Sequence, residues 1–133
     1  MTLPGGIHRP MIAVLIEGPK GIRLIDGLLD TGADRTIFPL REAKSIGIQL
    51  PANIDGKFQT AGGVSIPYRL ATVALELRIR TASIKWQSTV AFADAPLSIV
   101  HLGNRGFLEF FHCDFQGPEK KLVLVPQPSL PTP

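Results

Sequence analysis

Hydrophobic and polar positions alternate along the middle of this chain in a way that predicts strands. Residues 71–80 read ATVALELRIR, and residues 83–92 read SIKWQSTVAF. In both segments apolar residues recur at alternate positions, which is the period of a half-buried antiparallel strand. The apolar positions that we expect to face a core are Val73, Leu75, Leu77, Ile79, Ile84, Trp86, Val90 and Phe92.

Shorter apolar runs predict further strands on either side of this pair. Residues 11–18 and 21–30 flank the sequence Gly-Pro-Lys-Gly, which is typical of a turn, so we expect a hairpin that ends at Asp30. Residues 57–69 form two short extended arms around a glycine-containing tip, and residues 121–126, KLVLVP, form a closing strand.

Two short segments favour helices. Pro39 suits a first helical turn and Gly47 suits a helix end, so the sequence predicts a short helix over about residues 39–46. A second short helix is expected over about residues 105–111, after a strand that stops at Gly103. The fold class predicted from these elements is all-β, with one or two short helices.

The length and composition indicate one globular domain. The chain has 133 residues, of which 44% are hydrophobic and 19% charged, and its 13 Gly and 12 Pro favour many turns. We expect residues 1–126 to form the domain and the Pro-rich segment 127–133 to be a disordered tail. The net charge of +3 comes from scattered Lys and Arg, so nothing in it indicates a nucleic-acid partner.

Cysteine content and the amino-terminal sequence bear on location. The single Cys113 excludes an internal disulfide and is expected to be a small buried hydrophobic side chain. Residues 1–10 lack the apolar stretch of a signal peptide, and the apolar run 11–16 is too short to span a bilayer. We therefore expect a cytoplasmic protein with no membrane partner.

The segment that raises a chemical question is GLLDTGADRTIFP, residues 27–39. Asp-Thr-Gly alone is a weak signal, because Asp and Gly are common turn residues. Here an apolar strand runs directly into Asp30, the Thr31 hydroxyl can hydrogen-bond locally, and Gly32 permits close backbone approach. Apolar residues then resume at Ile37. This context favours a carboxylate held in place for chemistry over an ordinary turn.

Other catalytic and metal-binding motifs are absent from the sequence. There is no phosphate-binding Gly-x-x-x-x-Gly-Lys-Ser/Thr and no Gly-x-Ser-x-Gly nucleophile elbow. His8, His101 and His112 do not have the spacing of a metal site. The sequence therefore predicts neither a metal site nor an organic cofactor.

At the level of families, residues 27–39 resemble the active-site segment of retropepsins, the single-domain aspartic proteases typified by retroviral proteases. Residues 98–111, SIVHLGNRGFLEFF, are similar to the second signature of that family, and FQTAGG lies where its flap hairpin does. The resemblance spans roughly residues 11–126. The helix after the active-site loop and the longer carboxyl-terminal part look most like stand-alone bacterial members.

The resemblance implies a closed barrel of short antiparallel strands with a flap hairpin, assembled as a homodimer. Because the chain has one Asp-Thr-Gly, Asp30 of each copy would meet its partner on a two-fold axis and together they would hydrolyse a peptide or protein substrate. Two carboxylates held about 3 Å apart cannot both ionise, so they share a proton. By the same resemblance Thr31, Gly32 and Arg105 would support the site. The residues implied to contact the peptide are Gly32, Ala33, Asp34, Ala61, Gly62 and Gly63.

The chain departs from the family pattern at Asn104. Family members usually carry Arg directly after the Gly of the second signature, where it pairs with the second Asp of the active-site loop. We expect Asp34 to be partly buried here and paired with Arg105, either of its own chain or across the dimer, with Arg35 as the second candidate. The departure also keeps open an alternative function, a retropepsin-like dimer that binds extended peptides without cleaving them.

Overall fold

The structure is a computed structural model that describes residues 10–60, 62–79, 82–94, 99–119 and 121–133. The described residues form nine strands, one α-helix and one 3₁₀ turn. The strands are β1 (Met11–Gly18), β2 (Gly21–Leu29), β3 (Ile37–Pro39), β4 (Gly56–Gln59), β5 (Ser65–Ile79), β6 (Ala82–Ala93), β7 (Val100–Leu102), β8 (Phe111–Gln116) and β9 (Lys121–Pro126). The helix is α1 (Leu40–Ser45) and the 3₁₀ turn is Leu108–Phe110.

Six strands close into a barrel. They pair in the order β1-β2-β7-β3-β6-β5, and β1 pairs again with β5, so the ring has no free edge. The hairpin β4–β5 extends beyond the ring, because β4 pairs only with the first residues of the long strand β5. The predicted all-β class, closed barrel and projecting hairpin are confirmed.

Two of the strand pairs in this barrel are parallel, although consecutive hairpins dominate the sequence pattern. Strand β7 pairs in parallel with β2, and β3 pairs in parallel with β6. Strand β7 also pairs with β3, so it lies between β2 and β3. The segment 30–36, which joins β2 to β3, must therefore pass across the carboxyl end of β7.

The core is apolar and aromatic, as the alternation predicts. Trp86 packs edge-on against Phe107 and Phe111, at centroid distances of 5.6 and 5.4 Å, and Phe38 contacts Phe92 at 5.7 Å. These spacings are those of favourable aromatic pairs. The predicted inward residues that the structure places in the buried core are Val73, Leu75, Leu77, Trp86, Val90 and Phe92. The side chain of Ile79 lies outside the described part.

The first predicted helix is confirmed and the second is wrong. Helix α1 is preceded by Pro39 in an extended conformation, and Gly47 follows with φ of +74°. Where a helix is expected over 105–111, the chain forms only the turn Leu108–Phe110 before β8 begins. Gly106, with φ of +95°, lies outside the right-handed helical region and prevents a regular helix there.

Residues 127–133, the predicted disordered tail, have contacts with the rest of the chain. Gln127 donates its backbone N–H to the Phe110 carbonyl at 2.8 Å, and Leu130 packs against the core cluster. The Gln87 backbone N–H bonds the Thr132 carbonyl at 3.4 Å. The domain boundary at residue 126 and the disorder of the tail stay predictions.

In the part of the chain that the structure describes, no helix has the length and apolar character needed to cross a bilayer. The cytoplasmic location stays a prediction.

Candidate active site

Asp30 is held at the point where β2 leaves the barrel wall. Its backbone N–H donates to the Leu102 carbonyl at 3.0 Å, which continues the parallel pairing of β2 with β7. Its Oδ1 accepts the backbone N–H of Gly32 at 3.0 Å, closing a local turn. The side chain is one-third exposed, so the carboxylate lies at a surface that solvent and substrate reach.

The loop that follows Asp30 is braced by the loop that follows β7. The backbone N–H groups of Asn104 and Arg105 donate to the carbonyls of Ala33 and Asp34, and that of Thr36 donates to the Arg105 carbonyl, each at 2.9 Å. The two motifs that the sequence singles out are therefore bonded side by side. Because their backbone groups bond each other, the position of Asp30 depends on both.

Gly103 makes this close approach possible. A Cβ atom at this position would collide with the carbonyl oxygen of Arg35 and come within 2.7 Å of the Ala33 carbonyl oxygen. These are backbone atoms of the braced loop and cannot move without breaking its hydrogen bonds. Only glycine fits at this crossing.

Gly106 fixes the second loop to the barrel wall. Its N–H donates to Glu109 Oε2 at 2.6 Å, while its carbonyl accepts Ser88 Oγ at 2.7 Å and Trp86 Nε1 at 3.3 Å. Sequence reasoning treated Trp86 only as a core residue. Its indole N–H is also a tether for the loop that braces the active-site segment.

Asp30 lies in an open cleft with a volume of about 700 Å³. The active-site loop and β7 line one side of the cleft, and the β4 arm of the projecting hairpin lines the other. The lining residues are Asp30, Gly32, Ala33, Asp34, Arg35, Ile37, Lys57, Phe58, Gln59, Thr60, Tyr68, Ala91 and His101. This volume is in the range of small-ligand and peptide-side-chain sites.

The predicted flap residues lie at the tip of the β4–β5 hairpin. Thr60 N–H bonds the Val64 carbonyl and Gly63 N–H bonds the Thr60 carbonyl, both at 2.9 Å. Gly63 has φ of +80°, a turn conformation that glycine adopts readily. Gly62 and Gly63 are exposed, and Ala61 lies outside the described residues. The role of these residues as a flap stays a prediction.

His101 is the cleft residue that sequence reasoning missed. Its Nδ1 lies 3.2 Å from Asp30 Oδ2, although the two residues are 71 positions apart. The spacing of His101 from the other histidines excludes a metal site and carries no information on this contact. The signal that could have found it is its place two residues before Gly103, within residues 98–111 that resemble the second family signature.

The expectation for Asp34 is wrong within one chain. Asp34 is exposed, and among the described residues it forms no ion pair with Arg105 or Arg35. A solvated carboxylate carries no desolvation cost, so it needs no buried cation. The Arg35 guanidinium instead lies 5.8 Å from the centroid of the Tyr68 ring. Pairing of Asp34 with Arg105 across a dimer stays a prediction, as does the role of Thr31.

A family model described as aspartyl protease matches residues 12–105. The chain belongs to this aspartyl protease family. The matched range contains both bonded loops, the cleft and the projecting hairpin, so the family assignment and the geometry rest on the same residues.

Solved structures support the retropepsin-like fold of this aspartyl protease. A retropepsin-like aspartic protease from Rickettsia conorii is 19% identical, with a TM-score of 0.57 and 93% of each chain covered. EIAV protease in complex with the inhibitor HBY-793 is 21% identical, with a TM-score of 0.56, covering 78% of this chain and 88% of the other. The retroviral protease-like domain of Ddi1 from Leishmania major is 11% identical, with a TM-score of 0.59, covering 93% and 99%. No curated protein sequence matches the chain significantly.

Proposed function

We propose that this protein is an aspartic endopeptidase that hydrolyses peptide bonds between the Asp30 side chains of a homodimer. The observation that carries the proposal is the placement of Asp30, one-third exposed in an open cleft and fixed by backbone hydrogen bonds on two sides. The family and the fold support the same chemistry.

A second copy of the chain is needed because the reaction uses two carboxylates. The sequence contains one Asp-Thr-Gly, so one chain supplies one carboxylate of this kind, and the proposal takes the other from a second copy. Two-fold assembly would bring the Asp30 side chains of both copies together. One, ionised, takes a proton from water as the oxygen attacks the peptide carbonyl carbon. The other, protonated, donates to the carbonyl oxygen.

The resulting gem-diol collapses when the carbon–nitrogen bond breaks. The carboxyl group that took the proton from water gives it to the leaving nitrogen, and the other carboxylate takes a proton from one hydroxyl of the gem-diol as the new carboxyl group forms. The pair of carboxylates thus returns to one shared proton, and no group is consumed.

The substrate that fits this cleft best is an extended peptide. Strand β4 is the outer strand of the described sheet and lines the cleft, so its outer edge offers backbone groups to a further strand. Peptides commonly bind such edges as an added strand, with alternate side chains entering pockets. The lining includes the apolar side chains of Phe58 and Ile37 and the polar side chains of Lys57 and Gln59. This mixture favours a peptide with both apolar and polar side chains.

Peptide binding without cleavage is the second candidate. Asn104 in the position of the usual Arg, together with the exposed and unpaired Asp34 of the described chain, favours it. The two candidates differ in one outcome, which is whether bound peptides are cut.

The test is incubation of a random peptide library with wild type, Asp30→Asn and Asp26→Asn at a protein concentration where sedimentation shows a dimer. Asp26 is an exposed residue of the same strand, so it is a matched control for the same chemical change. We expect cleavage by wild type and Asp26→Asn, and a loss of about a thousandfold or more in Asp30→Asn, because an amide cannot hold the shared proton.

Two results would count against the proposal. Residual cleavage by Asp30→Asn within about tenfold of wild type would remove Asp30 from the reaction. If the protein is shown to be a monomer and its activity per chain stays constant on dilution, the homodimer is excluded as the active form. Binding of library peptides by wild type with no cleavage at any pH would establish the second candidate instead.

A further inference from the structure

The contact between His101 and Asp30 gives the active site a second titratable side chain. His101 lies in the middle of β7, between Val100 and Leu102, which are fully buried on the opposite face of the strand. Strand alternation therefore turns the imidazole toward the cleft, where its side chain is 28% exposed. Its Nδ1 lies 3.2 Å from Asp30 Oδ2.

The backbone holds this contact in place from both sides. His101 is in register with Leu28 of β2 and with Ile37 of β3, so β7 is fixed between two neighbours at this residue. Both oxygens of Asp30 then have a neighbour, since Oδ1 accepts the Gly32 N–H and Oδ2 faces His101. A carboxylate with donors on both oxygens is fixed in rotation as well as in position.

The other titratable groups that line the cleft come from the loop after β2 and from the projecting hairpin. Asp34 and Arg35 come from the loop that follows β2, Lys57 from β4 and Tyr68 from β5. The residues that face the cleft from β3 and β6, Ile37 and Ala91, are apolar. Across the described ranges, Asp30 is the one carboxylate within ion-pair distance of His101.

We propose that His101 is a positioning residue that fixes the orientation of the Asp30 carboxylate. With a proton on Nδ1, the imidazole donates to Asp30 Oδ2 while the Gly32 N–H donates to Oδ1, so both oxygens are held. This rests on the proposed function, since it concerns the carboxylate pair of the same site. The consequence is that a donor at position 101 keeps Asp30 aligned for the reaction once substrate is bound, so its loss lowers kcat more than it changes KM.

The test compares kcat and KM, each measured at the pH optimum, for wild type, His101→Leu, His101→Asn and His112→Leu. Leucine removes the donor at a similar volume, whereas asparagine keeps an N–H donor at the place of Nδ1. His112 is an exposed histidine of β8 and serves as the control.

We expect kcat of His101→Leu to fall at least about tenfold while KM stays within about threefold of wild type, because the carboxylate loses its second donor. In His101→Asn, kcat should stay within about threefold of wild type, because the donor is kept. His112→Leu should match wild type in both constants. Equal kcat values for His101→Leu and wild type, in a protein with the wild-type circular dichroism spectrum, would overturn the proposal.

A second readout does not depend on turnover. In proton NMR spectra of wild type we expect a downfield imidazole N–H resonance of His101 that is sheltered from exchange, and its loss in Asp30→Ala, where no acceptor remains. If wild type cleaves no peptide but shows this resonance, the proposed function fails and the pairing stands. If wild type cleaves peptides and the resonance persists in Asp30→Ala, the pairing fails and the proposed function stands.

Discussion

The carbonyl of Gly106 allows a quantitative test of how the active-site loops are held. It accepts hydrogen bonds from Ser88 Oγ at 2.7 Å and Trp86 Nε1 at 3.3 Å, and both donors are buried, at 3% and 0% exposure. Ser88→Ala or Trp86→Phe removes one donor and leaves the other. Each lost hydrogen bond costs about 0.5–1.5 kcal/mol of the free energy of unfolding, and Trp86→Phe also loses packing with Phe107 and Phe111.

The double variant is expected to cost more than the sum of the two single variants. With both donors gone, the buried Gly106 carbonyl has no side-chain partner, and a buried unsatisfied acceptor costs about 1–3 kcal/mol. The packing lost in Trp86→Phe contributes equally to both sides of the double-mutant cycle and cancels. The coupling energy therefore measures the cost of leaving the Gly106 carbonyl without a side-chain donor. We expect a coupling of about 1–2 kcal/mol.

The assay is urea unfolding of all four proteins, followed by far-UV circular dichroism because Trp86 is the single tryptophan. One protein concentration is used throughout, since the stability of a dimer depends on concentration. A coupling energy within about 0.3 kcal/mol of zero would refute the reasoning, because that is the scatter of independent sites.

Two further predictions follow from single positions. Gly103→Ala is expected to destabilise the fold by more than about 2 kcal/mol and to abolish cleavage, because its methyl group meets the backbone of the braced loop. Gly117→Ala is the control, because a Cβ at that position meets nothing within 4 Å. Equal unfolding midpoints for the two variants would contradict this prediction. Burial raises the pKa of the Cys113 thiol, so its reactive thiolate forms at higher pH than that of a free thiol. Iodoacetamide should therefore modify Cys113 more slowly at pH 8 than it modifies glutathione. Equal rates of modification would contradict this prediction.

The sequence predicts the local elements around Asp30 better than it predicts which distant residues contact them. The hairpin that ends at Asp30, the outward carboxylate and the glycines follow from local patterns, because turns and strands are encoded over a few residues. Asp30 and His101 are 71 positions apart, and their contact depends on β7 entering between β2 and β3, where Leu28 pairs with His101 in parallel. No local pattern carries that register.

The wrong expectation of a regular helix over residues 105–111 has a tertiary origin. Gly106 adopts a positive φ, and its carbonyl accepts hydrogen bonds from Trp86 and Ser88 of the barrel wall. This tertiary contact overrides the local preference. The contacts of Leu130 with the core and of Gln127 with the Phe110 carbonyl are likewise tertiary, and the proline content of residues 127–133 does not indicate them.

The same loop contacts bear on whether Asn104 weakens the site. The family pattern places an Arg there to brace the active-site loop through an ion pair, and the described chain has no such pair. The loop is braced instead by backbone hydrogen bonds from Asn104 and Arg105 to Ala33 and Asp34, and these require no particular side chain at position 104. A brace made of backbone bonds and tethered to the core through Gly106 keeps Asp30 in place whether or not position 104 is an arginine. The loss of the Arg is therefore a weak argument for binding without cleavage, and the geometry around Asp30 favours the catalytic proposal.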